Sequence, residues 1–484
     1  MRGSFGVLVD VPAESYSQSD VGCVARVIRV ERYNGRITNP GGLGLVAFGG
    51  KTVIPTALLF SRYRAFREFA RVDLAPLTII IGKNGGGKSV LTRLPLLLAS
   101  GLALQAEAPL DLTAGGVSHA TRFEDLIYQR SAQPFSLGAE ISDGNRTLQF
   151  VTTLRHIVER HALGIEAFEL SEGQERIVSL TAARPEDIGN PAGLFRAKFG
   201  AAEAEHEIRI HLVGLFPTNV DGNAEVSNQL HERRELFEKA FVMPSYLGPF
   251  RSELGSLARI PRQGVRELGP RGERALDIMG DDRLRGDGML VSAVEDWFEM
   301  SMDARVKLEM AGDLPRVVVH DPIRNIDVDL ADTGAGFAQL FPVVVQALAR
   351  RVDRILSPTV IVEQPELHLH PAAHGNVADL IADTVATCGN RVRYVCETHS
   401  EQVITRLRRR VAEGKLTAET IKIISVGHQS AVEDAPEPLR SINLDRLGNP
   451  DAWPVGVFDE AFDDLVLLRE AAQQRLAADE NQLA

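Results

Sequence analysis

"LTIIIGKNGGGKS", residues 77–89, is the stretch whose reading decides the fold. Leu77 to Gly82 form a nearly continuous apolar run ending in glycine, the pattern of a strand buried on both faces. Residues 82–89 then fit G-x-x-x-x-G-K-[ST] at every position, and a helix is predicted from about Gly87 to Leu104. Glycines let backbone N–H groups curl round phosphates, and the helix N-terminus adds a favourable dipole. Gly82, Asn84, Gly85, Gly86 and Gly87 supply that loop, and Val90 follows in the first helical turn. Lys88 is expected to neutralise β- and γ-phosphates and Ser89 to ligate Mg²⁺. A plain glycine-rich turn needs neither the strand before it nor the helix after it.

A second stretch works with the first. "TVIVEQPELHLHP", residues 359–371, opens as a buried strand that delivers Glu363 at its C-terminal edge. In a doubly wound sheet that edge lies beside the phosphate loop, where a carboxylate suits Mg²⁺ directly or through water. "ADTGAGFAQLFPVVVQAL" (331–348) places two glycines before a long apolar helix, so backbone amides can face an anion; an ordinary helix cap reads the same way. "RVRYVCETHSEQVI" (391–404) is a strand ending in Glu397-Thr398-His399-Ser400, again at a ligand-binding edge. A lone histidine there is more often structural.

Composition bounds the rest. The chain has 484 residues, 44% hydrophobic and 24% charged, which fits a soluble globular protein of one large or two to three ordinary domains. A net charge of −12 argues against a surface that coats nucleic acid generally, while allowing a local basic patch. Three cysteines, Cys23, Cys388 and Cys396, fit no zinc spacing and suggest a reduced, cytoplasmic setting. No signal peptide is evident, and the most apolar stretch, after Arg93, is too interrupted to span a bilayer.

Residues 1–60 read as short strands with turns, and "PFSLGAEISDGNRTLQFVTTLRHI" (134–157) as a hairpin turning at "SDGN". Strands are predicted over 206–216, 315–320, 325–330, 359–363 and 392–396, and helices over 228–241, 291–302, 337–351 and 371–387. The C-terminal alternation is the rhythm of a parallel sheet. The final stretch reads as a polar helix.

In order and spacing these motifs, with "YLGPFR" (246–251), "VRELGPRGERA" (265–275) and "LDRLGNPDAWPVGVFDE" (444–460), resemble ABC/SMC-type ATPase heads. They are most similar to the stand-alone AAA family ATPases grouped with RecF and OLD proteins, including a C-terminal domain of unknown function. The resemblance covers roughly residues 55–130 and 243–460. It implies an α/β P-loop NTPase: a mixed, mainly parallel sheet with flanking helices, an antiparallel β-subdomain and an inserted lobe. The implied parts are residues 1–134 and 244–430 of an ATPase head, an inserted lobe over 135–243 and a tail domain over 431–484.

By position, Gly82 to Ser89 look like the Walker A loop and Glu363 like the Walker B carboxylate. Thr333, Gly334, Gly336 and Gln339 resemble the signature segment that reaches the γ-phosphate of the opposite subunit. "LHP" (369–371) sits at the D-loop and His399 resembles the switch histidine, while Gln129 and Gln133 are two candidates for the Q-loop. The resemblance implies ATP and Mg²⁺ as cofactors, a homodimer or higher homo-oligomer, and a role in bacterial antiviral defence or genome maintenance. It also implies a separately encoded effector, often a nuclease, and allows DNA or RNA contact.

One position departs from the family. The residue after the Walker B acid is usually the glutamate that orients attacking water, and here it is Gln364. Glutamine aligns water without taking its proton. Glu366 is expected to act instead if the segment is extended, because residues i and i+2 then share a side. A third reading is slow turnover in an ATP-locked clamp. A scaffold that holds ATP without meaningful turnover competes with the ATPase reading. A small-molecule P-loop kinase would leave the signature and switch segments unexplained. His368 and His370 suggest a metal pair only weakly, lacking a third ligand. Arg251, Arg259, Arg262, Arg266, Arg271 and Arg274 are read as either a nucleic-acid path or a solvated face, given Glu253, Glu267 and Glu273 among them. The acids of "FDEAFDD" (458–464) look like a solvated helix start, so the chain is not expected to be a nuclease itself. Residues 135–243 are too short for coiled-coil arms and read as a β-rich lobe or short helical pair.

Overall fold

The computed structural model describes residues 32–33, 36–37, 52–83, 85–202, 204–252, 260–429, 436–454, 457–458 and 467–473. Cys23, Asn84, Glu253, Arg259, most of residues 1–50 and, in the expected tail, residues 431–435, 455–456, 459–466 and 474–484 therefore lie outside the described residues. The chain divides into two units, residues 1–50 and 51–484. In the first, β1 (Arg32–Tyr33) pairs antiparallel with β2 (Arg36–Ile37).

The second unit is organised by two large sheets. A nine-stranded antiparallel sheet is built from β3 (Ile54–Ser61), β4 (Ala70–Asp73), β6 (Phe135–Ser142), β7 (Thr147–Ile157), β8 (Ala162–Glu172), β9 (Glu175–Ala182), β10 (Ala192–Phe199), β11 (His206–Val213) and β12 (Phe216–Val220). Its order is β12-β11-β10-β9-β8-β7-β6-β3-β4. The hairpin at "SDGN" is present as β6–β7, with Asp143 accepting from the backbone N–H groups of Asn145 and Arg146. β6 also pairs with β3 from Ser136 to Ser142, with one irregularity between Pro55 and Ala57. Residues 135–243 are thus continuous by hydrogen bonding with strands before residue 75, and their β-rich character comes from this sheet.

The second sheet is six-stranded, ordered β13-β17-β18-β5-β19-β20. β13 (Ser245–Leu247), β17 (Thr359–Glu363), β18 (Arg393–Glu397), β5 (Leu77–Gly82) and β19 (Ile421–Gln429) run parallel, and β20 (Pro436–Ile442) closes the edge antiparallel. Every residue of β5, β17 and β18 is buried, which is why these strands read as unbroken apolar runs rather than alternating ones. β20 lies beyond residue 430 yet is hydrogen-bonded into the same sheet as β19.

Two apolar cores follow from the two faces of this sheet. Ile80, Ile361, Val395 and Val426 meet α1 (Lys88–Leu102), which also packs on the nine-stranded sheet and α2 (Ala224–Ala240). Ile79, Ile81, Val360, Val362, Tyr394 and Cys396 face α5 (Ala335–Arg351) and α6 (Pro371–Cys388). Each fully buried Ile or Val contributes about 1.5–3 kcal/mol. α3 (Ala275–Arg285), α4 (Met289–Met302) and α7 (Glu401–Ala412) extend the second core. A three-stranded antiparallel sheet, β14 (Val306–Ala311), β15 (Leu314–Asp321) and β16 (Ile326–Asp329), borders α3 and α4. Among the described residues, no helix is long and apolar enough to cross a membrane.

Candidate functional site

The phosphate-type loop leaves β5 at Gly82, whose φ of 139° and position against Val426 leave no room for a side chain: a Cβ would stand 2.2 Å from the Val426 carbonyl oxygen. It enters α1 through Gly87 in the left-handed region, φ 102°. Lys88, the first helical residue, is buried, and its Nζ donates to the carbonyls of Gly82 (2.9 Å) and Lys83 (2.8 Å). Burial lowers the Lys88 pKa, with Glu397 opposing the shift. No acidic side chain occupies the first turn of α1, so the helix dipole is left for an anion. Gly85, Gly86, Ser89 and Val90 complete this turn, with the Val90 N–H donating to Gly87.

Strand order decides which carboxylate faces the loop. β18 stands between β5 and β17, so Glu397, not Glu363, closes the strand next to the loop. The Ser89 hydroxyl donates to Glu397 Oε2 at 3.1 Å. Glu363, directly opposite Glu397 in the β17–β18 ladder, points to the next turn of α1. Its Oε1 accepts from the Thr92 hydroxyl at 2.6 Å and from Arg93 Nε at 3.1 Å, and its Oε2 from Arg93 Nη2 at 3.0 Å. Arg93 also lies 5.9 Å from the Tyr246 ring centre. The sequence pairs Ser89 with Glu363; the folded chain pairs Ser89 with Glu397. Burial, and then the charge of Glu363, hold the Glu397 carboxyl up at about 7.

The segment after β17 is not extended, which corrects the expectation for Glu366. Gln364 sits at φ 46°, its N–H donating to the Glu397 carbonyl, and the N–H of Leu367 returns to the Gln364 carbonyl. The turn buries Glu366, whose Oε1 accepts from the Thr398 hydroxyl (2.8 Å) and the His399 N–H (2.7 Å). Glu366 therefore ties β17 to the end of β18 instead of sharing a side with Glu363. The Gln364 side-chain amide has no hydrogen-bond partner among the described residues. His399 is exposed, and partial desolvation of its ring, followed by the charge of Lys88, lowers its pKa.

Arg251 corrects a second expectation. It is buried, not part of an exposed arginine surface, and Nη2 donates to the carbonyls of Glu363 (2.9 Å) and Gln364 (3.0 Å). Its backbone meets the Gln339 amide. Burial pulls its pKa down to about 10. Arg262, Arg266 and Arg271 are exposed. The only sequence signal for Arg251 was its place at the end of "YLGPFR", directly after β13.

Thr333, Gly334 and Gly336 open α5, with Gly334 as N-cap and the Thr333 hydroxyl donating to the Leu330 carbonyl at 2.6 Å. Among the described residues none of them hydrogen-bonds to the β5–α1 loop; Gly336 instead lies against the His368 carbonyl. His370 caps α6 by accepting from Ala372, and His368 lies in the preceding turn at φ 67°, so the two do not share a strand face. Among the described residues no group of three or more His, Cys, Asp or Glu could hold a metal. His374, not anticipated from sequence, shares a 2.8 Å hydrogen bond with the Ser400 hydroxyl. Gln129 and Gln133 are exposed, and the Gln129 side-chain amide donates to the Tyr128 hydroxyl.

No protein-family model matches the chain, and no curated protein matches it. Solved structures similar to it are SMC head domains at low identity. One is an SMC head bound to the C-winged helix domain of ScpA: 13% identity, TM-score 0.42, covering 81% of this chain and 98% of that one. The SMC head domain from Thermotoga maritima shares 8% identity at TM-score 0.38, covering 81% and 99%. The Smc head with an extended coiled coil, bound to the C-terminal domain of ScpA derived from Pyrococcus furiosus, shares 12% at 0.41, covering 86% and 100%.

Proposed function

We propose that this chain binds Mg·ATP at the β5–α1 loop and hydrolyses it slowly, acting as an ABC/SMC-like head. The observation that carries the reading is the loop itself: a buried Lys88 inside a glycine cradle, at the start of a helix with no competing acid. The donor set fits Mg²⁺, which takes one or two carboxylates plus phosphate oxygens and water: Ser89 and a carboxylate meet beside the loop. When bound, the cation would neutralise phosphate charge. Lys88 would hold the β- and γ-phosphates, and Gln364 would align water without accepting its proton. Loss of general-base help costs about 10²–10⁴-fold in rate, so slow turnover is expected.

The Thr333–Gly336 helix start supports a site completed by a second copy, because Gly334 and Ala335 are exposed, Thr333 and Gly336 are half-buried and the first turn of α5 carries no acid. On this reading the chain is a homodimer or higher oligomer that passes its nucleotide state to a partner. By family resemblance that partner is a separately encoded effector, a nuclease for example, or nucleic acid, in antiviral defence or genome maintenance within the cytoplasm. A non-hydrolysing, ATP-locked scaffold is favoured by one specific observation, the two hydrogen bonds that hold Glu366 Oε1 on Thr398 and His399 and leave only its buried Oε2 without a partner. Phosphate release, measured beside nucleotide binding, separates the two. ATPase activity abolished by Lys88→Ala supports the enzyme. Tight ATP binding with no release, and release switched on by Gln364→Glu, supports the scaffold. No nucleotide binding at all overturns both.

A further inference from the structure

We propose that Glu397, rather than Glu363, is the protein carboxylate that holds the divalent cation, while Glu363 is a pin fixing α1 to β17. This deepens the Mg·ATP reading and rests on it.

Three observations converge. The first is order in the sheet: β18 is the immediate neighbour of β5, with Glu397 paired to Ile80 of that strand, so its side chain emerges next to the loop. The second is the partner of Ser89. The hydroxyl of a phosphate loop is the protein's nearest oxygen to a nucleotide-bound cation, and here it is hydrogen-bonded to Glu397 and not to Glu363. Two oxygens that share one hydrogen at 3.1 Å are already placed to share a cation in its stead.

The third is that the two carboxylates differ in commitment. Both oxygens of Glu363 are taken, by the Thr92 hydroxyl and by two N–H groups of the Arg93 guanidinium. A cation drawn to Glu363 would have to displace that paired arginine or stand against its positive charge. Neither is favourable in a buried setting, where breaking an ion pair leaves one charge uncompensated. The Glu397 carboxylate accepts one hydrogen bond among the described residues, from Ser89, and faces no guanidinium fork. Charge then balances by pairs: Glu363 with Arg93, Glu397 with the cation, and Lys88 with phosphate. A cation that keeps few protein ligands needs no second carboxylate.

The test is Mn²⁺ binding to the full chain, read by electron paramagnetic resonance with a slowly hydrolysed ATP analogue present. Binding of a fluorescent ATP analogue in EDTA is read in parallel. Wild type, Glu397→Gln, Glu397→Asp and Glu363→Gln are compared. Glu397→Gln is expected to weaken Mn²⁺ binding at least about tenfold, while metal-free nucleotide binding stays near wild type; Glu397→Asp should recover part of the loss. Glu363→Gln should leave Mn²⁺ affinity within about threefold and lower the melting temperature. Full Mn²⁺ affinity in Glu397→Gln overturns the proposal, whatever Glu363→Gln does. So does loss of Mn²⁺ binding in folded Glu363→Gln. If Glu363→Gln does not fold, Arg93→Lys replaces it: stronger Mn²⁺ binding on loosening that pair would show Glu363 to be the ligand. A wild type that binds no nucleotide, with or without metal, instead overturns the Mg·ATP reading and this proposal with it.

Discussion

The two large sheets handle charge in opposite ways. In the nine-stranded sheet ion pairs stay at the surface: Arg71 with Glu140, Arg155 with Glu166 and Arg146 with Asp143. Its interior is aromatic, with Phe150 edge-on to Phe237 at 4.8 Å and Phe168 edge-on to Phe216 at 4.9 Å. At the C-terminal edge of the parallel sheet, Glu363, Glu366, Glu397, Lys88 and Arg251 are all buried. Desolvating charges costs several kcal/mol each, so a fold gains little stability from such a cluster. Charge kept where it is expensive marks the part of the molecule shaped by a ligand, and charge kept in water marks the scaffold.

The contrast can be strained from both sides. Phe150→Ala should cost about 3–5 kcal/mol in urea unfolding, since it empties the aromatic centre of the scaffold; if the chain remains folded, nucleotide affinity should not move. Glu363→Ala should cost about 3 kcal/mol by the same measurement, because it strands the Arg93 guanidinium beside Tyr246. A loss below about 1 kcal/mol would mean that this pair is no more than a surface bridge, and the comparison would fail.

Glu397→Gln works in the opposite direction. Its folded-state pKa, about 7, lies above the ordinary 4.5, so the protonated form favours folding and that contribution is lost as pH rises from about 4.5 to 7. The nucleotide-free variant should therefore melt a few degrees above wild type at pH 8, with the gap closing near pH 5. Differential scanning calorimetry across that range checks both sign and window. The smallest effect belongs to the scaffold. Asp143, held down to about 2 by the backbone N–H groups of Arg146 and Asn145, contributes stability that is present above its ordinary 3.8 and fades as pH falls towards 2. Asp143→Ala should cost no more than about 1 kcal/mol at pH 7, and nothing measurable near pH 2.

What was legible in the sequence was local. β5, its glycine loop and α1 announce themselves because strand, turn and helix-start signals are contiguous; β17 and β18 are fully buried runs with clear ends, and α5 is buried over most of its length. What was hidden depends on register and order across hundreds of residues. Glu397 stood in plain view beside His399, yet nothing in a linear sequence says that β18 inserts between β5 and β17. The turn that buries Glu366 is hidden because Gln364 adopts a left-handed φ that no propensity for Gln would suggest. Arg251 is hidden because an arginine-rich stretch reads as surface, and its burial depends on two carbonyls contributed from over a hundred residues away. The nine-stranded sheet was under-read because alternation within each strand does not reveal that β3 and β6 pair.

The position of β5 has a consequence for how the protein is made. Both of its neighbours, β18 and β19, come from the last quarter of the chain, and Ser89 meets Glu397 across 308 positions of sequence. At about 5–20 residues per second, a ribosome that has finished the loop needs about 15–60 s more to supply the strand that shelters it. Throughout that interval β5 is an apolar strand with two unpaired edges on a nascent chain. The glycine loop is the first signal to be written and among the last to become a site, which makes β5 the segment on which co-translational chaperones would be expected to act.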